Sequence, residues 1–236
     1  MEVEGLEIQK QKLIETYKTN SLNLNLRMVE FKTEQEKFWA GEFGDDYVLR
    51  NNGLDLIAAN TALFARALRT CGHISSVIEF GCNVGLNLIS LQNLYPSQKQ
   101  AGIEINQKAI LQLKKNLKEC EIYEESILNF KPEILNIKYD LVLIKGVLIH
   151  LNPDILRTVY ENLVKTTKKY LLICEYYNPT PVSITYRGHD ERLYKRDFAG
   201  EVLDQFPQLF LVDYGFVYRR DPAFPQDDVT WFLLSK

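Results

Sequence analysis

The sequence of 236 residues has little of the material that marks fibrous, low-complexity or membrane proteins. Its 12 glycines and 8 prolines are too few for a collagen-like or linker-rich chain. No apolar run approaches the roughly 18 residues that a transmembrane helix needs. The N-terminal sequence MEVEGLEIQKQK is acidic and lacks the apolar core of a signal peptide. We therefore expect neither a membrane protein nor an exported one.

Cysteine and histidine are also scarce. The four cysteines form no CxxC pair, so the sequence predicts reduced thiols in a cytoplasmic protein. They are Cys71, Cys82, Cys120 and Cys174. The three histidines, at positions 73, 150 and 189, do not have the spacing of zinc ligands. We therefore predict no required metal.

Neither sign of charge dominates the sequence. Lysine and arginine number 28, and aspartate and glutamate number 31, which gives a net charge of −3. A dedicated nucleic-acid-binding protein usually carries a basic surplus, so this balance disfavours a nucleic-acid partner. Hydrophobic residues make up 46% of the chain, which is enough for a sizeable core and excludes disorder throughout.

From residue 75 onward, short apolar runs alternate with helical patterns, which predicts an α/β fold with a parallel sheet. Strands are predicted at SSVIEF, QAGIEI, EIYEES, YDLVLI and KYLLICE. Helices are predicted at 86–94, after Asn106, at 153–166, and in a segment that closes over 203–208. The runs LFLVDYGFVYR and VTWFLLSK have no helix between them and predict an antiparallel hairpin at the sheet edge. Residues 176–196 are predicted to form a long irregular loop.

The N-terminal part of the chain has a helical pattern. Apolar residues at helical spacing predict a helix over Asp55–Arg69 with one buried face. They are Leu56, Leu63, Phe64, Ala67 and Leu68. The preceding sequence FWAGEFGDDY is aromatic and acidic, and its two glycines indicate a loop or a helix junction. We interpret residues 1–70 as a helical extension or lid, and residues 71–236 as the core domain.

The segment VIEFGCNVGLN carries the strongest chemical signal. An apolar strand with Glu79 near its end is followed by Gly81 and Gly85 at the start of a helix. Glycines let the backbone approach a ligand, and N–H groups at a helix N-terminus face its carboxylate or phosphate. Glu104 ends the next strand, 19 residues after Gly85, where its carboxylate can accept hydrogen bonds from both hydroxyls of a ribose. Asn83 replaces the central glycine of the dinucleotide fingerprint, which disfavours a dinucleotide ligand.

Taken together, these features resemble the class I methyltransferases that use S-adenosylmethionine (SAM). Three longer segments are also similar to methylases associated with pseudaminic acid biosynthesis. They are EKFWAGEFGDDYVLRN, KGVLIHLNP and EYYNPTPVSITYRGHDERLYKRDFAGE. The resemblance covers most of the chain from Thr33 onward. It implies a Rossmann-like sheet of seven mainly parallel strands with a C-terminal antiparallel hairpin, preceded by a helical lid.

The resemblance also implies which residues surround SAM. They are Glu79, Gly81, Cys82, Asn83 and Gly85 at the methionine end, Glu104 at the ribose, and Ile105, Ser126 and Ile127 at the adenine. Many such enzymes have, at the position of Ser126, an aspartate that meets the adenine amino group, so this chain departs from the pattern there. Lys145 begins the segment after the fourth strand, where the backbone passes the cofactor.

Two N-terminal residues are further candidates for contact with SAM. Tyr47 and Arg50 lie three apart and share one face if this segment is helical. Arg50 is predicted to bind the SAM carboxylate, and Tyr47 to cover the sulfonium. The alternative is that both belong to an exposed helix face.

Residues after the fourth and fifth strands are the candidates for catalysis and for binding of the acceptor. The candidate catalytic groups are His150, Tyr176 and Tyr177, each of which has a packing role as its alternative. Asn178 and a basic cluster are predicted to bind an acidic substrate, and the alternative is a solvated, self-paired loop. The cluster consists of Arg187, His189, Arg192, Lys195 and Arg196.

The sequence therefore predicts a SAM-dependent methyltransferase that acts on an oxygen or nitrogen atom of a small-molecule acceptor. An acidic sugar of the nonulosonic acid class is implied by the resemblance alone. The alternatives are a methyltransferase for another small metabolite or for a protein side chain, and a non-catalytic SAM-binding partner subunit. An RNA methyltransferase is disfavoured by the charge balance. No oligomeric state is predicted.

Overall fold

The computed structural model describes residues 31–51 and 53–236, so the predicted helical segment before residue 31 lies outside the described part. Thr33–Lys236 form one compact unit. The predicted domain boundary at residue 70 falls within this unit and remains a prediction.

In the described part of the chain, three helices precede the first strand. They are α1 (Glu34–Ala40), α2 (Glu42–Arg50) and α3 (Leu54–Ala67). Gly41 separates α1 from α2, which confirms the predicted helix junction. The buried face of α3 is confirmed at Leu63, Phe64, Ala67 and Leu68. Leu56 was expected on that face, but it is 38% exposed and contributes to a cavity described below.

The strands and helices of the core follow in alternation. The strands are β1 (Ser76–Phe80), β2 (Lys99–Glu104), β3 (Glu121–Glu124), β4 (Tyr139–Lys145), β5 (Thr167–Glu175), β6 (Val182–Tyr186), β7 (His189–Lys195), β8 (Phe210–Val217) and β9 (Val229–Ser235). The helices are α4 (Leu86–Leu94), α5 (Gln107–Asn116), α6 (Leu156–Thr166) and α7 (Phe198–Gln205). Short 3-10 turns cover Pro132–Ile134, Leu148–His150 and Pro153–Ile155. The helix predicted from residue 153 therefore begins as a 3-10 turn, and the last helix ends at 205 rather than 208.

The main sheet has seven strands in the order β3-β2-β1-β4-β5-β9-β8. The pairs from β3 to β5 are parallel, and β9 pairs with β5 and β8 in antiparallel fashion. Every residue of β1 is buried, as expected for a parallel strand that helices cover on both faces. One face packs against α6 and α7, and the other against α3, α4 and α5. The predicted fold, with its C-terminal hairpin, is confirmed.

The prediction of an irregular loop over residues 176–196 is wrong. This segment contains β6 and β7, which form a separate two-stranded antiparallel sheet. Its two-residue turn is Arg187-Gly188, and both residues have positive φ, 49° and 84°, as such tight hairpin turns require. The hairpin was missed because β6 is exposed along nearly its whole length. A strand without a buried face lacks the alternation by which strands are recognised.

Three surveys of the described residues bear on the expectations from composition. All four cysteines are free thiols. Among residues 31–51 and 53–236, no group of three His, Cys, Asp or Glu side chains is arranged to hold a metal ion. Within the same ranges, no helix combines the length and apolar character needed to cross a bilayer. The cytoplasmic location and the absence of a nucleic-acid partner stay predictions.

Asp140 ties the start of β4 to the residues before β1. Its buried carboxylate accepts hydrogen bonds from the Ser75 N–H at 3.0 Å and the Ser75 hydroxyl at 2.6 Å. The ammonium groups of Lys168 and Lys169 lie 3.2 and 3.3 Å from the other oxygen. Burial alone would raise the pKa of Asp140, but these donors outweigh it and hold the pKa well below its usual range.

Replacing Asp140 with asparagine is expected to lower the free energy of unfolding near pH 7 by about 2 kcal/mol, because a buried charge-assisted network loses its charge. The native pKa lies below the unfolded value of about 3.9. The contribution of Asp140 is therefore complete above the unfolded pKa and is lost as the pH falls through the native pKa. Urea unfolding of both proteins should show their difference shrink on acidification below about pH 4. A difference that stayed constant with pH would contradict this account.

Candidate active site

A cavity of about 490 Å³ opens at the carboxyl ends of the parallel strands. In open α/β sheets this edge is where ligands bind. The walls of the cavity come from the ends of β1, β2, β4 and β5, from helices α1 to α3, from the hairpin β6–β7 and from the loop before β9. The N-terminal helices and the glycine turn therefore line the same space.

The turn after β1 adopts left-handed backbone conformations at three positions. Gly81, Asn83 and Gly85 have φ values of 76°, 48° and 85°. A side-chain carbon at Gly81 would lie 2.6 Å from Val147 Cγ2, and one at Gly85 would collide with Leu113. Glycine is therefore required at both ends of the turn, whereas asparagine tolerates the left-handed region between them. The turn leads directly into the N-terminus of α4.

Glu104 closes this turn from the end of β2. Its Oε2 accepts a hydrogen bond from the Asn83 N–H at 2.7 Å. Its Oε1 accepts from the N–H groups of Ile105 and Asn106 at 2.9 and 2.8 Å. Burial raises the pKa of Glu104, and these backbone donors oppose that rise. The side chain is 7% exposed and lines the cavity, so its carboxylate is fixed in place before any ligand arrives.

Two further carboxylates are buried at the ends of β1 and β5. Glu79 accepts a hydrogen bond from Asn87 Nδ2 at 2.6 Å, and burial raises its pKa to about 8. Glu175 accepts from the N–H groups of Val147 and Leu148 at 3.0 and 2.9 Å, and burial raises its pKa to about 7. Glu175 thereby fixes the turn after β4, a role that the sequence analysis missed because the residue appears only as the end of an apolar strand.

Aromatic side chains from the N-terminal helices meet the hairpin over the cavity. The Trp39 ring centroid lies 4.7 Å from that of His150 and 5.4 Å from that of Tyr47. The Tyr186 ring, from β6, lies 5.0 Å from His150. Burial raises the pKa of Tyr47 to about 12, with Tyr186 and Asp227 adding to the rise, so its phenol is protonated at neutral pH. These rings form an amphipathic wall with hydroxyl and indole groups.

His150 has a defined hydrogen-bonding state. Its Nδ1 lies 2.6 Å from the carbonyl oxygen of Arg192. A carbonyl oxygen only accepts, so Nδ1 carries the proton and Nε2 keeps its lone pair. Burial lowers the pKa of His150 to about 4, and the ring is therefore neutral near pH 7. A neutral imidazole in the cavity wall is able to accept a proton through Nε2.

The structure brings many of the predicted site residues together. Those that line the cavity are Tyr47, Gly81, Cys82, Asn83, Glu104, Ile105, Ser126, Ile127, Lys145, His150, Tyr176 and Arg187. Those that do not line it are Arg50, Glu79, Gly85, Tyr177, Asn178, His189, Arg192, Lys195 and Arg196. Gly85 is the second glycine of the turn itself, and Glu79 accepts a hydrogen bond from Asn87 of α4. The others make contacts elsewhere.

Most of the predicted basic cluster holds the hairpin against its neighbours. The Arg192 guanidinium lies 5.5 Å from the centroid of the Phe38 ring, and the His189 ring lies 5.0 Å from the same Phe38 ring. Lys195 Nζ lies 5.2 Å from the Tyr176 ring. Arg196 Nε donates to Glu201 at 2.7 Å. These four side chains take part in packing and ion pairing. Arg187 is the member of the cluster that lines the cavity.

Three other predicted residues do not line the cavity. The Arg50 guanidinium lies over the rings of Phe43 and Tyr47, at 5.6 and 6.0 Å. Tyr177 is 41% exposed, and its ring lies 5.9 Å from that of Phe232. Asn178 Nδ2 donates to the Thr180 carbonyl at 2.5 Å. Tyr176 and Tyr177 therefore separate to two sides of the chain, as successive residues of an extended segment do.

The sequence analysis missed the loop before β9, which contributes Arg219, Gln226 and Asp227 to the cavity. Arg219 Nε lies 3.6 Å from a carboxylate oxygen of Asp228, at the base of this loop. Arg187 and Arg219 thus line the same cavity as the carboxylate of Asp227. In the sequence, this segment shows only a turn rich in proline and aspartate. Such a turn predicts a loop but does not predict that the loop lines the cavity.

Residues 78–169 match a protein-family model described as a methyltransferase domain. The matched segment contains the glycine turn together with Glu104, Ser126 and His150. No curated protein matches the chain.

Solved structures with this fold include several methyltransferases. The N-methyltransferase NodS from Bradyrhizobium japonicum WM9, in complex with S-adenosyl-L-homocysteine (SAH), has a TM-score of 0.58 at 19% identity over 86% of this chain and 96% of that chain. The 1,6-didemethyltoxoflavin-N1-methyltransferase from Burkholderia thailandensis, with its substrate and SAH, has a TM-score of 0.64 at 13% identity over 85% and 86%. Magnesium protoporphyrin IX methyltransferase from Synechocystis PCC 6803, with SAH, has a TM-score of 0.61 at 14% identity over 85% and 97%. The chain therefore has the Rossmann-like fold of these enzymes.

Proposed function

We propose that this chain, in which residues 78–169 form a SAM-dependent methyltransferase domain, methylates an oxygen or nitrogen atom of a small acidic acceptor. When bound, SAM supplies the methyl group as an electrophile. One observation carries the proposal. The same cavity is lined by the glycine turn and Glu104 and by Arg187 and Arg219. A cofactor and a small anionic acceptor would therefore share one enclosed space.

The residues around the glycine turn have the chemical groups that SAM needs. The fixed carboxylate of Glu104 accepts hydrogen bonds from ribose hydroxyls. The N-terminus of α4, reached through the glycine turn, presents N–H groups to the carboxylate of the methionine part. Ile105 and Ile127 supply apolar surface for the adenine. Tyr47 lines the cavity and is proposed to contact the methionine part, whereas Arg50 does not line it, so its predicted contact with the SAM carboxylate has no support from its position.

The arginine residues of the cavity wall support an acidic, hydroxylated acceptor. Arginine guanidinium groups recognise carboxylate or phosphate, often with two hydrogen bonds, and Arg187 and Arg219 both line the cavity. The hydroxyls of Tyr176 and Tyr186 and the carboxylate of Asp227 add partners for sugar hydroxyls. The resemblance to methylases of pseudaminic acid biosynthesis favours a nonulosonic acid or its nucleotide conjugate.

Two residues in the wall are suited to handle the proton of the acceptor. The neutral ring of His150 accepts it at Nε2 if the acceptor is a hydroxyl or an ammonium group. Burial raises the pKa of Tyr176, so its phenol stays protonated and acts as a hydrogen-bond donor that orients the acceptor. Tyr177 lies outside the cavity, so its predicted catalytic role has no support from its position.

The acceptor class is tested by turnover of SAM to SAH with a matched panel. Nonulosonic acids are compared with their neutral methyl esters, in the free form and as nucleotide conjugates. We expect kcat/KM for the acid to exceed that for the ester by about 10-fold or more, because the ester loses one charge-assisted pair with arginine. Arg187→Gln should raise KM for the acid by a similar factor and leave the ester unaffected.

Arg196→Gln is the matched control, because Arg196 directly follows the same hairpin and pairs with Glu201 outside the cavity. It should leave the preference for the acid unchanged. Equal turnover of acid and ester, or turnover confined to other acceptor classes, would refute the acidic acceptor. Failure of the protein to bind either SAM or SAH would refute the methyltransferase proposal as a whole.

A small amine is the second candidate acceptor. Asp227 lies near the protonated phenol of Tyr47 in the same wall, and a carboxylate beside aromatic rings attracts a cationic nitrogen. An amine panel belongs in the same assay. Asp227→Asn would then lower turnover of amines while leaving that of acids intact.

A further inference from the structure

The nucleobase end of the cavity contains a carboxylate that comes from outside the matched domain. Glu36 lies on α1, is 6% exposed and lines the cavity beside Ser126. A capping box holds its position. The Glu36 N–H donates to Thr33 Oγ1 at 3.1 Å, and Glu36 Oε2 accepts from the Thr33 N–H at 2.9 Å. The side chain is therefore fixed by the start of its own helix.

Ser126 orients its hydroxyl toward this carboxylate. Its Oγ donates to Glu36 Oε1 and accepts from the Leu128 N–H at 3.1 Å. The hydroxyl proton is thus committed to Glu36. Because a carboxylate oxygen only accepts, the Glu36–Ser126 pair presents acceptor atoms, and no donor, to the cavity.

The strand register places this pair next to the ribose position. Glu104 at the end of β2 pairs with Glu124 of β3, and Ser126 follows two residues later. Because neighbouring strands lie about 4.8 Å apart, a nucleoside with its ribose on Glu104 can place its base beside the end of β3. The faces of the base would meet Ile105 and Ile127, and one polar edge would meet the pair.

We propose that Glu36, through its pair with Ser126, is the specificity-determining residue that selects a nucleobase with an exocyclic amino group at C6. This inference rests on the proposed function, since it concerns the cofactor of the same site. An amino group donates to the pair, whereas a carbonyl at C6 would place a second acceptor against it. A site built to accept a hydrogen bond rejects an analogue that cannot donate one. Helix α1 thereby supplies, through Glu36, the carboxylate that Ser126 does not have.

The test compares binding of SAH with that of S-inosylhomocysteine, in which a carbonyl replaces the amino group, by calorimetry. We expect the wild type to bind SAH about 10-fold more tightly or better, which is the cost of one unsatisfied polar contact. Glu36→Gln should bring this ratio close to one, because an amide also offers a donor to the carbonyl. Glutamine is accepted at this position of a capping box, so the variant keeps the start of α1.

Glu34→Gln is the matched control, since Glu34 is on the same helix and pairs with Lys37 at 2.7 Å on the exposed surface. The ratio of its affinities for SAH and S-inosylhomocysteine should equal that of the wild type. A ratio that stays high in Glu36→Gln, or a loss of affinity for both ligands by the same factor, would overturn the role of Glu36 and leave the methyltransferase proposal standing. A wild type that binds neither ligand would overturn both.

Discussion

Replacing Glu104 with alanine is expected to weaken binding of SAH by about 100-fold or more. A carboxylate that accepts from two ribose hydroxyls contributes two charge-assisted hydrogen bonds, each worth about 1.5–3 kcal/mol, and 1.4 kcal/mol is tenfold in affinity. The same carboxylate holds the N–H groups of Asn83, Ile105 and Asn106. The variant therefore loses the ribose contact and the preformed shape of the turn together.

Two measurements separate these causes. Glu104→Gln retains an acceptor for part of this network and should fall between the wild type and Glu104→Ala in affinity for SAH. Calorimetric titration of each protein with SAH and with SAM gives the affinities, and thermal unfolding without ligand reports the loss of the turn contacts.

Glu124→Ala is the matched control. Glu124 is the register partner of Glu104 on the next strand, and it forms an exposed ion pair with Lys114 rather than lining the cavity. Its affinity for SAH should stay within about twofold of the wild type, because exposed ion pairs contribute little. Unchanged affinity in Glu104→Ala would remove Glu104 from the cofactor site.

The part of the site that could be predicted is formed by residues that lie close together in the sequence. The turn from β1 to α4 could be predicted because its glycines are required by a backbone that runs continuously from strand to helix. Glu104 could be placed because a strand, a helix and a second strand have nearly fixed lengths in this fold. A helix was predicted to start after Asn106, and the Asn106 side chain caps that helix by accepting from the Ala109 N–H at 2.9 Å.

The other part depends on contacts between distant segments. Ser126 and Glu36 are 90 residues apart, and nothing in the sequence near either one indicates the other. The loop that brings Arg219 and Asp227 into the cavity has no periodicity. The hairpin β6–β7 exposes one strand almost entirely, so its hydrophobic pattern was absent. Basic residues in that segment were predicted to act as one cluster, but Arg192 packs on the Phe38 ring and Lys195 on the Tyr176 ring, and Arg187 is the member that lines the cavity.

The second large effect is expected at His150, where asparagine preserves one of the two ring contacts and removes the other. The amide nitrogen of asparagine takes the place of Nδ1 and keeps the hydrogen bond to the Arg192 carbonyl, but it removes the acceptor at Nε2. Positioned general bases contribute about 10²–10⁴-fold, so His150→Asn should lower kcat by about 100-fold while the affinity for SAH changes little. His189→Asn is the control, since that ring packs on Phe38 outside the cavity. A parallel fall in kcat and SAH affinity in His150→Asn would indicate a packing residue.

The pH dependence separates proton transfer from packing more sharply. Burial lowers the pKa of His150 from 6.5 to about 4, so the neutral form that accepts a proton prevails above that value. The part of kcat/KM that depends on His150 should therefore rise with pH near 4 and be level around 6.5. The same shift affects folding, because the unfolded chain binds a proton at His150 more readily than the native protein does. Its contribution to stability is complete above 6.5 and is lost as the pH falls through 4. His150→Asn should remove both the acid limb of kcat/KM and this part of the acid sensitivity, whereas an acid limb that persists unchanged would assign it to another group.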